Sequence, residues 1–255
     1  MTIRTAQARA DLMEAGKRLD IILETLAAKV APGVSTEDLD DLAEQLIREG
    51  GDEPSFLGYT PEGAHRPYPA SLCVSINDEV VHGIPNESPK ILKSGDIVSL
   101  DLGLTYKGII VDAARTVPVG KIDAESTRLL RVTEDALVAG IGAARVGNHI
   151  GDISHAIESA YRGTNFSVVR VLGGHGVGDR VHEEPFVPNV GRAGEGELLI
   201  EGMVLALEPI ANAGKAAVVL ASDGYTYRTK DGSRSAHFEH TILIEKAGPL
   251  VVTKV

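Results

Sequence analysis

The chain has 255 residues and a net charge of -11, which argues against general binding to nucleic acid, since phosphate backbones recruit clustered Lys and Arg. Its single cysteine, Cys73, excludes an internal disulfide framework and fits a reducing compartment such as the cytoplasm. The acid-containing amino end offers no signal peptide, and no stretch reaches the ~20 apolar residues of a membrane-spanning helix, so a soluble protein without membrane partners is expected.

From about Thr5 to Lys29, Leu12, Ala15, Leu19, Ile22, Leu23 and Leu26 recur at helical spacing and predict a first helix, ended by Pro32-Gly33. A second helix is predicted to open at Ser35, with Asp38 completing a capping-box-like pattern. Leu39, Leu42, Ala43, Leu46 and Ile47 form its apolar face, and Gly50-Gly51 closes it. β-rich runs follow at Ser71–Ile76, Ile97–Leu104 and Ile109–Val117.

The pattern then restarts. A helix from about Ala124 to Arg145 leads to Gly147 and a second helix carrying Asp152, Ile153, Ala156, Ile157 and Ala160. A shift of 114 positions lays Gly33 on Gly147, Asp38 on Asp152 and Leu39 on Ile153. Strands are predicted at Ser167–Leu172, Val204–Pro209, Ala217–Ala221 and Thr241–Ile244. A shift of 107 lays the run Gly95 to Asp101 on the run Gly202 to Glu208, each passing from a turn glycine through an apolar strand to a carboxylate. The expectation is one α+β domain over residues 1–255, made of pseudo-repeats of about 1–118 and 119–255, each bringing acids to a shared centre.

Leu100 to Asp112 reads as a hairpin turning at Tyr106-Lys107, which sets Asp101 opposite Asp112 and Leu104 opposite Ile109. Because strand side chains alternate, one face collects Leu100, Leu102, Leu104, Ile109, Val111 and Ala113, and the other holds Asp101, Gly103, Thr105, Ile110 and Asp112. Two carboxylates facing each other either stand in water, share a proton, meet cations or bind metal. No Lys or Arg shares their face, so a divalent ion is the better answer. Glu208, before Pro209, and Glu239, before the last predicted strand, singly read as strand-capping acids. The glycines of Gly173-Gly174-His175-Gly176-Val177-Gly178 match neither dinucleotide-binding nor phosphate-loop spacing and read better as a tight backbone around a histidine that must reach inward, although an isolated loop histidine is more often ordinary surface.

Together these residues carry more. Leu-Asp-Leu-Gly at Asp101, Val-Asp-Ala-Ala-Arg-Thr at Asp112, Gly-Gly-His-Gly-Val-Gly at His175, Leu-Glu-Pro at Glu208 and Phe-Glu-His-Thr at Glu239 resemble, in order and context, the five metal ligands of methionine aminopeptidases. The resemblance spans nearly the whole chain, includes His82-Gly83-Ile84-Pro85 and His182-Glu183-Glu184-Pro185, and is to the short, bacterial-style type 1 form. It implies the pita-bread (creatinase/aminopeptidase-like) α+β fold, with two pseudo-symmetric halves around a central antiparallel sheet. It also implies two divalent ions (Co, Mn, Fe, Zn or Ni), bridged by Asp112 and Glu239, with Asp101 completing one and His175 and Glu208 the other. The activity implied is removal of the initiator methionine before a small second residue, a hydroxide held between the ions attacking the first peptide carbonyl. Glu208 then acts as general base, His182 steadies the carbonyl oxygen, and His82 contacts the scissile amide. Tyr59, Tyr68, Cys73 and Tyr225 match positions around the methionine pocket. The implied partners are amino-terminal Met peptides and nascent chains, with transient ribosome association, for a monomeric cytoplasmic enzyme.

The chain departs from the commoner bacterial pattern in a longer 60–67 loop containing His65, in Phe56 and Val81 where cysteines often stand, in Val181 where Phe is usual, and in Tyr225 where Trp is frequent. Xaa-Pro dipeptidases share the ligand pattern but usually carry an additional amino-terminal domain. Metal-free scaffolds of the same fold have lost ligands, whereas this sequence has all five.

Overall fold

The structure, a computed structural model, describes residues 1–254. Helix α1 (Ala6–Lys29) begins where the Thr5 hydroxyl accepts the Ala8 N–H, and it buries the predicted stripe from Leu12 to Leu26. Helix α2 (Thr36–Glu49) opens with the expected box: Ser35 Oγ accepts from Glu37 N–H, and the Asp38 carboxylate accepts from Ser35 N–H. Strands β1 (Glu53–Pro54), β2 (Leu72–Ile76), β3 (Glu79–Val81), β4 (Ile97–Tyr106) and β5 (Ile109–Pro118) follow.

Helices then return as α3 (Ala124–Ala143) and α4 (Ile150–Ala160). Strands β6 (Ser167–Val168), β7 (Gly173–Gly176), β8 (Glu183–Pro188), β9 (Val204–Leu207) and β10 (Ile210–Asn212) come next. The last are β11 (Val218–Leu220), β12 (Tyr227–Thr229), β13 (Ser235–His237), β14 (His240–Glu245) and β15 (Gly248–Val251).

The two principal sheets are antiparallel. One joins β1, β4 and β2, with β5 also paired to β4; the other runs β15-β14-β9-β7-β8. Helices α1 and α2 bury their apolar faces with the first sheet, around Leu100, Leu102 and Leu104; α3 and α4 do so with the second, around Leu205 and Leu207. Matched hydrogen bonds relate the two halves. Gly33 N–H donates to Leu92 O at 2.8 Å and Leu92 N–H to Val34 O at 2.9 Å; in the second half Gly147 N–H donates to Leu199 O at 3.0 Å and Leu199 N–H to Asn148 O at 2.8 Å. Positions 33 and 34 correspond to 147 and 148, and position 92 to 199, the same shifts of 114 and 107 that the sequence shows.

The sheets meet along β5 and residues 237–241. There the strands run antiparallel but too far apart for a continuous backbone ladder, and two threonines fill the gap. Thr116 Oγ1 accepts from His237 N–H and donates to His237 O, both at 2.8 Å, while Glu239 N–H reaches Ala114 O directly at 2.8 Å. Thr241 Oγ1 treats the backbone of Asp112 in the same way. The N–H and carbonyl of Asp112 and of His237 and the N–H of Glu239 are thus partnered, as a buried backbone requires.

Three expectations are corrected. The β4–β5 hairpin turns at Lys107-Gly108, not Tyr106-Lys107, so Asp112 pairs with Gly103 and Asp101 with Ala114. The cause is turn chemistry: a tight hairpin of this type needs positive φ at both central residues, and Lys107 (49°) and Gly108 (79°) supply it. A slip of two residues leaves the faces unchanged, so Asp101 and Asp112 become diagonal neighbours on one face rather than direct opposites. Second, the glycine run around His175 is a strand inside the five-stranded sheet. A Cβ on Gly174 would lie 2.2 Å from Ala206 O, and one on Gly176 2.3 Å from Glu184 O, so only glycine admits the neighbouring backbones. Third, the strand expected over Ser167–Leu172 is limited to Ser167–Val168.

Candidate active site

Pairing in the second sheet explains how three of the candidate ligands converge. His175 on β7 pairs with Ala206 on β9, and Ala206 pairs with Thr241 on β14. Paired residues share a face and alternate residues return to it, so Glu208 and Glu239, two positions from Ala206 and Thr241, stand beside His175. The first sheet presents Asp101, Asp112 and Cys73 by the same logic, Cys73 being paired with Asp101.

All eleven residues singled out in the sequence line one cleft: Asp101, Asp112, His175, Glu208 and Glu239; His82 and His182; and Tyr59, Tyr68, Cys73 and Tyr225. Phe56, Pro61, Val181 and His237 complete the lining. Ligand atoms of Asp112, His175 and Glu239 all lie within 4.8 Å of one another. His175 Nε2 is 3.6 Å from Glu208 Oε1, and the carboxyl groups of Asp101 and Asp112 share a hydrogen bond.

Burial dominates the electrostatics. It raises Asp101 to about 7 and pushes Asp112, Glu208 and Glu239 well above the usual carboxylate range, with repulsion among the acids adding to it. It lowers His175 and His237 to about 3 and His82 to about 4, so these imidazoles are neutral. Asp112 Oδ1 and Glu239 Oε1 are buried and have no hydrogen-bond partner among the described residues, and no Lys or Arg lines the cleft. Four hard carboxylates with unused lone pairs and one neutral imidazole are a donor set that fits divalent cations.

The other end of the cleft is apolar. Phe56, Tyr68, Ala70, Cys73, Ile84, Val181 and Tyr225 form one buried cluster, with Tyr59 packed against it. The Phe56 ring occupies the space above Gly103, where a Cβ would come within 2.6 Å of it. Tyr68 and Tyr225 meet edge to face at 5.1 Å, and Tyr68 donates to Gly83 O at 2.9 Å. The 60–67 loop is tied down by Arg66, which pairs with Glu87 and donates to Asp223 O at 3.1 Å. Pro61 of this loop reaches the cleft; His65 is exposed and does not line it.

His182 stands at the mouth. Its ring is 4.5 Å from that of His175, nearly perpendicular, and its Nδ1 is 2.9 Å from the Tyr59 hydroxyl. A hydroxyl donating to Nδ1 leaves the proton on Nε2, free to donate to a ligand. His82 has the left-handed backbone that few non-glycine residues adopt, at φ 57°, and is held by a hydrogen bond with the Tyr225 backbone.

One lining residue escaped the sequence reading. His237 precedes Glu239 by two positions, a spacing that puts both on one side of an extended segment, and that period was the available signal.

Comparison with known proteins gives one direction. The profile of metallopeptidase family M24 matches residues 10–246. The chain is 45% identical over 256 residues to a methionine aminopeptidase of Clostridium perfringens, covering 100% of both, and 45% identical over 238 residues to one of Aquifex aeolicus, covering 92% of this chain and 91% of that one. Among solved structures, the methionine aminopeptidase of Thermotoga maritima superposes with a TM-score of 0.94 at 40% identity over 100% of both chains. The Xaa-Pro dipeptidase of Bacillus anthracis superposes with a TM-score of 0.77 at 22% identity and is covered over 62% of its length, a likeness of fold alone.

Proposed function

The chain belongs to metallopeptidase family M24, and on that premise we propose how its own side chains divide the work of releasing methionine from the amino end of a polypeptide. The fold is the pita-bread fold of that family, and the protein is a metal-dependent aminopeptidase that removes the initiator methionine. One observation carries the reading: an acidic centre with unpartnered carboxylate oxygens shares one cleft with an apolar cluster that includes Phe56, Tyr68 and Tyr225.

In this reading residues 1–255 act as one catalytic unit. Asp101, Asp112, His175, Glu208 and Glu239 would hold two divalent ions, of which Mn, Fe, Co, Zn and Ni all suit the donor set. When bound, such ions would supply Lewis acidity and make hydroxide accessible near neutral pH. Glu208 takes a proton from the attacking water and delivers it to the leaving amine nitrogen. His182 Nε2–H donates to the carbonyl oxygen as negative charge develops there, and Tyr59 holds its ring in that tautomer. His82 contacts the scissile amide nitrogen. Phe56, Tyr59, Tyr68, Cys73, Val181 and Tyr225 receive the methionine side chain, whose polarisable sulfur suits aromatic edges. Nascent chains beginning with methionine and a small second residue are the substrates.

The test is mass spectrometry of a peptide panel with protein stripped of metal and reloaded with Mn(II). Methionine is released from Met-Ala and Met-Gly peptides and not from Met-Lys. Equal cleavage of peptides with Leu in second place removes the small-residue preference, and cleavage confined to Xaa-Pro peptides returns the Xaa-Pro dipeptidase reading. Asp101→Asn and His175→Ala abolish release in each case while the far-ultraviolet circular dichroism stays unchanged; full activity in either variant after metal reconstitution overturns the ligand assignment.

A further inference from the structure

His237 is buried, 2% exposed, between two acids of the centre: its Nε2 lies 3.6 Å from Glu208 Oε2 and 3.7 Å from Glu239 Oε2. Neither ring nitrogen has a hydrogen-bond partner among the described residues. The backbone beneath it is fixed from both sides, because Thr116 Oγ1 satisfies its N–H and its carbonyl and its neighbour across the strand is Ile210. The ring is therefore aimed by the fold rather than free to swing.

Chemistry decides what a ring so placed does. A neutral imidazole carries one N–H and one lone pair, on different nitrogens. The atoms nearest Nε2 are carboxylate oxygens, which accept hydrogen bonds. With metal bound, Glu208 and Glu239 are carboxylates, a lone pair on Nε2 would face lone pairs, and so Nε2 carries the proton and Nδ1 does not. Glu208 meanwhile has its two oxygens in different company, Oε1 facing His175 Nε2 at 3.6 Å and Oε2 facing His237. An N–H on Oε2 holds the carboxylate plane so that Oε1 stays turned toward His175 and the reacting atoms.

We propose that His237 is a positioning residue for Glu208: its Nε2–H, 3.6 Å from Glu208 Oε2 here, closes to donate to that oxygen when the centre is loaded, and so fixes the orientation in which Glu208 meets the metal centre and the scissile bond. This rests on Glu208 serving the reaction as described above. Partners that orient a metal ligand in this way change metal affinity or activity by about 10–100-fold when removed.

The experiment uses His237→Leu, which keeps bulk and loses the donor, and His237→Gln, whose amide restores one. In Mn(II)-loaded protein, His237→Leu lowers kcat on Met-Ala-Ser by about 10–100-fold with KM within about threefold, and weakens Mn(II) binding by calorimetry without changing the number of ions bound. His237→Gln recovers most of both losses. Nitrogen-15 NMR of histidine-labelled wild-type protein loaded with Zn(II) shows a protonated Nε2 for the resonance that His237→Gln removes. The proposal is overturned if Leu and Gln variants behave alike, if either binds one ion fewer, or if Nε2 of His237 is unprotonated, since each of the last two makes it a metal ligand. The NMR and binding arms need no turnover, so a wild-type protein that releases no methionine fails the functional reading without deciding this one. Should His237→Leu not fold, the wild-type tautomer and the Gln variant still decide.

Discussion

The Thr241 hydroxyl accepts the backbone N–H of Asp112 at 2.9 Å and donates to its carbonyl oxygen at 2.7 Å, so a side chain from one half takes the place of a strand for a candidate metal ligand of the other. Thr241 is fully buried. Replacing it by the isosteric valine strands two backbone polar groups, which costs about 1–3 kcal/mol for each buried group left unpaired. Thr241→Val is expected to lower the melting temperature by at least a few degrees and to weaken metal binding in step, while Thr241→Ser recovers most of both. Calorimetry with and without Mn(II) checks this; a stable variant with unaltered metal affinity removes the seam's role in placing Asp112.

Tyr59 meets His182 through a tilted ring contact, centroids 5.4 Å apart, and through its hydroxyl, at 2.9 Å from Nδ1. Tyr59→Phe keeps the apolar wall and frees the ring. The expected result is a fall in kcat of about tenfold with KM little changed, smaller than the ~10²–10³-fold loss for removing the donor itself in His182→Ala. Steady-state kinetics on one Met-Ala peptide, run for both variants, decides whether Tyr59 acts through His182.

Metal-stripped protein has an inverted pH response. Burial holds Asp101 near about 7 and Asp112, Glu208 and Glu239 higher, all above their unfolded values near 4. Folding therefore favours their protonated forms. The stability these groups contribute is complete below about pH 4 and is lost as pH rises through about 7 and beyond. With chelator present, the melting temperature is expected to fall between about pH 6 and pH 8.5; with Mn(II) the fall is largely abolished, and metal uptake releases protons. A chelated protein that melts highest at pH 8.5 contradicts the buried-carboxylate account.

Glycines 174 and 142 predict opposite outcomes. In Gly174→Ala the new methyl meets Ala206 O at 2.2 Å, so β7 must move away from β9 and carry His175 with it. A loss of about 1–3 kcal/mol and of metal affinity is expected. Gly142, in α3, has open space where the methyl would go, and Gly142→Ala is expected to be neutral or stabilising by up to about 1 kcal/mol. Urea midpoints of the two variants test the pair.

Much of this was legible because local physics and tertiary packing agree. Ser35 and Asp38 cap α2 as their spacing predicts, and the faces of the β4–β5 hairpin sort as the alternation predicts. The register of that hairpin was not legible, since two turns differing by two residues give identical faces and only the positive φ at Lys107 and Gly108 separates them. Strand β7 was hidden because its glycines are there for backbone proximity and carry no hydrophobic period. The four acids and one imidazole gained their full meaning only as an ordered set, whereas His237 fell outside that set; its spacing from Glu239 hinted at a shared side, but its approach to Glu208 shows only in the fold.

The contact between Asp112 and Thr241 joins residues 129 apart in sequence. While a ribosome is still adding the second half, β5 is an open edge whose backbone groups await a mate, the kind of edge that pairs with strangers. Ligand donors on both sides of that edge also mean that no partial product has even a weakened form of the reaction; the capacity arrives all at once, late in synthesis. Deleting residues 240–251, which carry β14 and β15, is accordingly expected to yield not a slower enzyme but an insoluble one.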